Sequence, residues 1–195
     1  MMVKSIMIVG VGGQGTLLAS RIIGNALIKK GVDVKVSEVH GMSQRGGSVV
    51  TYVRFGETSA DKVYSPVINR GEADIIIAFE QLEAARYVSF LKKGGKMIVS
   101  TQTIDPMPVI TGNAAYPADI IAKIKSAGID ITAVDALELA VKAGSAKASN
   151  VVLIGVLASF AVMSDEAWIE EIEECVPPKF VELNKKAFYL GKESI

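Results

Sequence analysis

The sequence of 195 residues contains only one cysteine, Cys175. This scarcity excludes an internal disulfide. It also excludes an iron–sulfur cluster held by this chain alone, because such a cluster needs several thiolate ligands. Acidic and basic side chains balance at 21 each, so the sequence lacks the basic surface of a nucleic-acid-binding protein. A reducing, cytoplasmic environment is the simplest expectation for a chain without disulfides.

Segments that would direct the chain into a membrane are missing as well. The N terminus leads directly into a strand-like run, Ser5–Val9, without the charged and then apolar pattern of a signal peptide. The longest nearly apolar run, Val151–Met163, is shorter than the roughly 20 residues that span a bilayer. We therefore expect a cytoplasmic chain with no membrane partner, in which this run forms a buried helix.

What the sequence does contain is an alternation of short β-branched runs and segments with helical spacing. Strands are predicted at Ser5–Val9, Val32–Val39, Ser48–Phe55, Asp74–Phe79, Lys96–Ser100 and Ile129–Val134, with a further edge strand considered at Lys62–Tyr64. Helices are predicted at Thr16–Lys30, Gln81–Leu91, Ala118–Ala127, Ala148–Met163, Asp165–Glu174 and Lys179–Leu190. This alternation predicts an α/β, Rossmann-like, doubly wound fold with a mainly parallel sheet and C-terminal helices, in a single domain of residues 1–195.

A glycine-rich segment joins the first predicted strand to the first predicted helix. Its sequence, GVGGQG, spans residues 10–15 and follows the G-x-G-x-x-G pattern in the setting where that pattern is informative. Gly10 permits a tight turn, Gly12 lets the backbone approach a phosphate, and Gly15 lets the helix pack close to the strand. The candidate anion-binding residues here are Gly10, Gly12, Gly13, Gln14 and Gly15. The alternative is a turn that serves close packing and holds no ligand.

A dinucleotide site also needs an acidic residue near the end of the second strand, where it binds the ribose hydroxyls. Glu38 is the nearest candidate, although it could instead face the loop that follows, and Asp33 lies at the wrong end of the strand. The pattern for NAD is therefore incomplete. The doubled glycine at 12–13 also occurs in ATP-adenylating domains of the ubiquitin-activating type. Those domains carry catalytic or zinc-binding cysteines, for which Cys175 offers little support.

The most distinctive segment, residues 38–49, follows the second predicted strand. It should lie beside the glycine loop at the carboxyl edge of the sheet, where open α/β sheets bind ligands. Arg45 can grip a phosphate or carboxylate through paired hydrogen bonds. The segment supplies the remaining candidate anion-binding residues, which are Ser43, Gln44, Arg45, Gly46 and Gly47. Alternatively, Arg45 pairs with a local acid and the glycines form a turn into the third strand.

Two residues are candidates for acid–base chemistry. His40 is the only histidine and could titrate near neutral pH. No nucleophile and carboxylate form an obvious set with it, so a structural or interface role is preferred. Glu80 follows the strand Asp74–Phe79 and could lie at the same sheet edge. An acid favoured by the dipole at a helix N terminus is the preferred interpretation of Glu80, and no catalytic residue is assigned.

The two glycine-containing segments together resemble a known family. GVGGQG at 10–15 followed by SEVHGMSQRGGSV at 37–49 is similar to the gamma-type domain of pyruvate/2-oxoacid:ferredoxin oxidoreductases. The second motif is most similar to beta subunits of the indolepyruvate:ferredoxin oxidoreductases. Further matching residues, spread over nearly the full length, are Tyr64-Ser65-Pro66, Gly71–Asp74, Phe79-Glu80, Glu83-Ala84, Arg86, Tyr116-Pro117, Asn150, Lys179-Phe180, Asn184 and Ala187-Phe188.

This resemblance implies a subunit that works only in a complex. The implied large partner subunit carries thiamine diphosphate, Mg²⁺ and 4Fe–4S clusters. The complex oxidatively decarboxylates a 2-oxoacid, with aryl pyruvates favoured, forms an acyl-CoA from coenzyme A and passes electrons to ferredoxin. This chain shows neither a set of cysteine ligands nor a thiamine-binding motif, so it is expected to bind no metal and none of these cofactors alone. Its glycine loop and Arg45 are expected to hold an anion, such as a phosphate of coenzyme A, in a cleft closed by the large subunit.

Two other interpretations stay open on the sequence alone. One is a stand-alone Rossmann oxidoreductase that uses NAD or FAD, which tight binding of either cofactor by the isolated chain would support. The other is a structural assembly subunit with an empty pocket. Loss of activity after Arg45→Ala, with assembly of the complex intact, would count against that second interpretation.

Overall fold

The computed structural model describes residues 2–40, 46–160 and 162–195, and only the backbone of His40. The strands of the described part are β1 (Val3–Val11), β2 (Val34–His40), β3 (Ser48–Gly56), β4 (Ala73–Ala78), β5 (Leu91–Ser100) and β6 (Asp130–Val134). Its α-helices are α1 (Thr16–Lys29), α2 (Gln81–Tyr87), α3 (Met107–Ile110), α4 (Ile120–Ser126), α5 (Ala136–Ala143), α6 (Ser149–Ala158), α7 (Asp165–Cys175) and α8 (Val181–Lys192). The six main predicted strands and the C-terminal helices are confirmed.

The strands form one sheet in the order β2–β3–β1–β4–β5–β6. β1 pairs in parallel with β4, β4 with β5, and β5 with β6. β3 runs antiparallel to both of its neighbours, β1 and β2. All strands of this sheet except β3 therefore point the same way, which confirms the mainly parallel sheet. The sequence did not predict that β3 lies between β1 and β2.

Helices cover both faces of the sheet. Side chains alternate along β1, so Ile6 and Ile8 point to one face and Met7 and Val9 to the other, and all four are at most 1% exposed. Helices α1, α5, α6, α7 and α8 cover the first face. Helices α2 and α4 cover the second. This two-sided burial confirms the doubly wound architecture.

The long apolar run predicted to be a buried helix forms α6, which is shorter than expected and buried from Asn150 to Ala158. Two glycines let it touch α8. A Cβ atom at Gly155 would lie 2.0 Å from the carbonyl oxygen of Phe188, and one at Gly191 would lie 2.0 Å from that of Val152. Backbone therefore packs directly on backbone here. No helix in the described residues is long and apolar enough to cross a membrane.

The edge strand considered at Lys62–Tyr64 is absent. The segment that follows, residues 65–67, is held by a side chain and not by hydrogen bonds between strands. The guanidinium group of Arg54 donates to the carbonyl oxygens of Ser65 and Val67, at 3.2 and 2.8 Å. Arg54 of β3 thereby holds this segment next to the sheet without a further strand.

The helix predicted over Gln81–Leu91 also ends early. After Tyr87 the chain passes through a short 3₁₀ turn, and β5 begins at Leu91. Gly94, with a φ of 77°, lies inside β5, where the register with β4 shifts. The glycine thus accommodates a bulge within the strand.

The contact between α6 and α8 predicts that Gly155→Ala lowers the free energy of unfolding by about 3 kcal/mol, because the added methyl group collides with backbone atoms. Gly24→Ala in α1 is the matched control, since its Cβ would meet only the end of the Val36 side chain, at 3.2 Å. Thermal unfolding followed by circular dichroism should show a midpoint roughly 6–12 °C lower for Gly155→Ala. Equal midpoints for the two variants would contradict the backbone contact.

Candidate anion-binding site at the carboxyl edge of the sheet

The glycine loop, residues 10–15, connects the carboxyl end of β1 to α1. Gly13 and Gly15 have φ values of 100° and 85°, a conformation that residues with a Cβ rarely adopt. Gly15 is the N-cap of α1, and no side chain in the described part of the chain caps this helix. Among the described residues, none caps the first backbone N–H groups of α1 through its side chain, and the helix dipole at this end favours an anion.

Gly47, directly before β3, holds the middle of the glycine loop in place. The Gly12 N–H donates to the Gly47 carbonyl oxygen at 2.8 Å, because Ser48 at the start of β3 lies opposite Val11 at the end of β1. This contact places Gly47 beside the glycine loop, as expected from the sequence. It also occupies the Gly12 N–H, so anion binding must rely on the N terminus of α1 and not on this donor.

Gln14 holds the loop from the opposite side. Its Oε1 accepts the Val11 N–H at 2.7 Å, and its Nε2 donates to the Phe79 carbonyl oxygen and to Oε1 of Gln102, both at 3.0 Å. Phe79 follows β4 and Gln102 follows β5. The Gln14 side chain, predicted to bind a ligand, thus ties the glycine loop to the ends of two neighbouring strands.

A cavity of about 430 Å³ opens beside the glycine loop. It is lined by Gly12, Gly13, Gly15, Thr16, Leu17, Glu38 and Val49. Its volume lies within the range of small-molecule sites, roughly 300–1,000 Å³. The N terminus of α1 presents backbone N–H groups to this cavity, and Glu38 contributes a carboxylate to its lining. This combination suits a ligand that carries both a phosphate and a sugar.

The two acids considered for ribose binding lie at different ends of β2. Glu38 lines the cavity together with the glycine loop. Asp33 precedes β2, and its carboxylate accepts the Val63 N–H at 2.9 Å. That hydrogen bond lowers the pKa of Asp33. Asp33 therefore stabilises the opposite end of the strand.

On the β4 side of the glycine loop lies Glu80, which is 1% exposed and is the N-cap of α2. Its Oε2 accepts the Glu83 N–H at 2.9 Å, and its Oε1 accepts the Ile104 N–H at 3.1 Å and the Tyr116 hydroxyl. Burial and the hydrogen bond to Glu80 raise the pKa of Tyr116 above its usual value. Both oxygens of Glu80 are thus used within the protein, which matches the helix-capping interpretation.

Glu83 is a second buried acid in the same place, and it is 4% exposed. Its Oε2 accepts the Ser48 hydroxyl at 2.5 Å, and its Oε1 lies 3.1 Å from Nε of Arg86. Burial raises the pKa of Glu83, and the bonds from Ser48 and Arg86 oppose that rise. These side chains line a cavity of about 250 Å³ that Glu80 also borders. Local sequence patterns assigned no role to Ser48 and Glu83 because 35 residues separate them.

The sequence pattern of the pyruvate ferredoxin/flavodoxin oxidoreductase family matches residues 5–194. The chain belongs to this family. The indolepyruvate oxidoreductase subunit IorB of Pyrococcus horikoshii is 46% identical over 192 residues, which cover 96% of this chain and 93% of the relative. The protein of the same name from Thermococcus kodakarensis is 45% identical over the same shares of the two chains. Among solved structures, the gamma subunit of a keto/oxoacid ferredoxin oxidoreductase from Geobacter sulfurreducens is 27% identical in sequence. Its crystal structure matches this fold with a TM-score of 0.71, and the match covers 97% of this chain and 96% of that chain.

In this member of the pyruvate ferredoxin/flavodoxin oxidoreductase family, much of the predicted site gathers at one sheet edge. The residues brought together are Gly10, Gly12, Gly13, Gln14, Gly15, Gly46 and Gly47. Ser43, Gln44 and Arg45 lie outside the described residues, as does the side chain of His40. Within the described ranges, no three or more His, Cys, Asp and Glu side chains are grouped as metal ligands would be.

Asn150 of α6 supports the glycine loop and was not among the predicted site residues. It is 3% exposed, and its Nδ2 donates to the Gly15 carbonyl oxygen at 3.2 Å. A Cβ atom at Gly15 would lie only 2.6 Å from this Nδ2. Gly15 is therefore required both by its positive φ and by the close approach of α6.

Alanine substitutions in the loop should separate these two requirements. The added Cβ of Gly13→Ala meets no atom of the described residues within 4 Å, so it should lower the free energy of unfolding by the backbone strain alone, about 1–2 kcal/mol. Gly15→Ala adds the collision with Asn150 and should cost about 3 kcal/mol or more. Urea unfolding of both variants measures the difference. A larger loss for Gly13→Ala would contradict the packing of Asn150 on the loop.

Proposed function

We propose that the chain is the non-cluster subunit of a 2-oxoacid:ferredoxin oxidoreductase that acts on indolepyruvate or another aryl pyruvate. The observation that carries this proposal is the near full-length similarity to proteins named as indolepyruvate oxidoreductase subunits. In the proposal the chain is a single domain of residues 1–195 that works in the cytoplasm. It is active only together with a larger, catalytic partner subunit.

The proposed reaction converts a 2-oxoacid anion, coenzyme A and two oxidised ferredoxins into an acyl-CoA, carbon dioxide, a proton and two reduced ferredoxins. Thiamine diphosphate with Mg²⁺ supplies the carbanion chemistry and 4Fe–4S clusters supply the electron path, all on the partner subunit. The donor set of this chain does not fit a cluster of its own. Its single cysteine, Cys175, accepts a hydrogen bond from Nδ2 of Asn25 at 3.6 Å, and burial raises the pKa of its thiol.

The contribution of this chain, in the proposal, is to hold the anionic part of coenzyme A at the carboxyl edge of the sheet. The N terminus of α1 would bind a phosphate, and Glu38 across the cavity would accept hydrogen bonds from ribose hydroxyls. Arg45, assigned from the sequence with Ser43 and Gln44, would add a charged partner for a phosphate. The partner subunit would close the open side of the cavity.

The candidate acid–base residues receive no catalytic part in this proposal. Both oxygens of Glu80 are occupied by internal hydrogen bonds, so this residue is proposed to hold α2 and the chain near Ile104. His40 is proposed to act at the interface with the partner subunit.

A second candidate function is a stand-alone oxidoreductase that binds NAD or FAD. The specific observation that favours it is the position of Glu38, which lines the same cavity as the glycine loop, near the end of β2 where a ribose-binding acid lies. Membership of the pyruvate ferredoxin/flavodoxin oxidoreductase family favours the first proposal over this one. The two differ in whether the isolated chain is active.

Reconstitution tests the proposal directly. The chain alone, and then with its co-purified large subunit, would be assayed for 2-oxoacid-dependent reduction of ferredoxin or a viologen dye, with indolepyruvate or pyruvate and with or without coenzyme A. We expect activity only from the complex, only with coenzyme A, and with a higher kcat/KM for indolepyruvate. NAD- or FAD-dependent redox activity of the isolated chain would refute the proposal and support the second candidate.

Arg45→Ala distinguishes a ligand-binding subunit from a purely structural one. We expect the complex to assemble and its KM for coenzyme A to rise about tenfold or more, the typical effect of losing a charge-assisted hydrogen bond. Arg70→Ala, in the exposed chain before β4, is the matched control and should leave KM unchanged. An unchanged KM in Arg45→Ala, with assembly intact, would favour the structural role.

A further inference from the structure

Two neighbouring residues join the glycine loop to α2. Gly47 accepts the Gly12 N–H through its carbonyl oxygen at 2.8 Å. Ser48, the next residue, donates its hydroxyl to Oε2 of Glu83 at 2.5 Å. A continuous path of covalent and hydrogen bonds therefore runs from Glu83 to the wall of the large cavity at Gly12.

The environment of Glu83 sets it apart from an ordinary acid in the first turn of a helix. It is the third residue after the N-cap Glu80, a position whose acid commonly folds back to the N-cap backbone. Here the carboxylate turns instead to Ser48 and Arg86. Removing it from water is unfavourable unless its partners compensate, so its burial fits a positional role.

Ser48, at the start of β3, is the residue through which this path reaches Glu83. Ser48 has a second neighbour, the Tyr87 hydroxyl, 3.2 Å from its Oγ. That contact joins two hydroxyl groups and lies on the exposed side, whereas Glu83 is a buried carboxylate that also pairs with Arg86. The bond to Glu83 should therefore hold Ser48 more strongly than the bond to Tyr87.

We infer that Glu83 is a positioning residue, which fixes the glycine loop for anion binding by holding Ser48 and, through Gly47, the N–H of Gly12. The functional part of this inference rests on the proposed role of the loop in binding coenzyme A. The mechanical part does not, because it concerns hydrogen bonds within this chain.

The mechanical part is tested by amide hydrogen exchange of Gly12, measured by NMR on the full chain. Ser48→Ala removes only the hydroxyl and should accelerate exchange at Gly12 about tenfold or more, the effect expected for loss of a hydrogen bond to a charged group. Glu83→Ala should give a similar acceleration. The double variant, Ser48→Ala with Glu83→Ala, should exchange little faster at Gly12 than either single variant, because all three lack the same hydrogen bond. Ser48→Thr retains the hydroxyl and should restore slow exchange.

Tyr87→Phe is the matched control, since it deletes the other hydroxyl near Ser48 and should leave exchange at Gly12 unchanged. If Glu83→Ala does not fold, Glu83→Gln retains an acceptor for Ser48, removes the charge and should give a smaller acceleration. Unchanged exchange at Gly12 in a folded Ser48→Ala variant would overturn the inference, as would additive effects of the two substitutions.

The KM for coenzyme A in the reconstituted complex tests the functional part. Ser48→Ala should raise this KM by about the factor seen in exchange, leave kcat at saturating coenzyme A nearly unchanged, and be rescued by Ser48→Thr. Faster exchange with an unchanged KM would support the positioning of the loop and refute the proposed binding of coenzyme A there. A raised KM without faster exchange would overturn the positioning role.

Discussion

The geometry of the site depends on the place of β3, which lies between β1 and β2 and runs against both. Because β3 begins where the other two strands end, the chain that leaves β2 must return to the sheet at the carboxyl edge. Val49 consequently lies opposite both Gly10 and His40. The glycine loop is thereby covered on one side by residues 46–48, and its Gly12 N–H is used within the protein. What remains for a ligand is the N terminus of α1 and the cavity in front of it.

At this edge the protein buries the carboxylates of Glu80 and Glu83. Burying a carboxylate costs more solvation free energy than burying an apolar side chain. Glu80 holds α2 and the chain near Ile104, while Glu83 holds Ser48. Gln14 adds a third connection, from the glycine loop to Gln102. Loops that follow three different strands are thus fixed to one another by side chains. Such preorganisation is what a site needs if it is to bind a flexible, multiply charged ligand without first paying to order its own backbone.

Much of this fold could be predicted from the sequence because the relevant signals are local. The apolar runs of β1 and β4, the glycine loop and the buried α6 each follow from the residues of one segment. The two glycine motifs were also specific enough to indicate the family.

The features that could not be predicted depend on contacts between distant segments. The pairing of β3 between β1 and β2 leaves no local pattern, and neither does the contact of Ser48 with Glu83 across 35 residues. Gln14 was a candidate ligand-binding residue as a member of the glycine motif, but the reach of its side chain to Phe79 and Gln102 is a property of the folded chain. The bulge at Gly94 depends on the pairing of β5 with β4, which no local pattern indicates.

If the carboxyl edge of this sheet holds the anionic part of coenzyme A in the active complex, coenzyme A should slow amide exchange at that edge. The most direct test is hydrogen–deuterium exchange with mass spectrometry on the complex of this chain with its large subunit, with and without coenzyme A. The account predicts slower exchange on addition of coenzyme A in peptides covering residues 10–18 and 46–50, and no change in the α7 peptide Asp165–Cys175. Slower exchange confined to the large subunit, with none in the glycine loop, would contradict it.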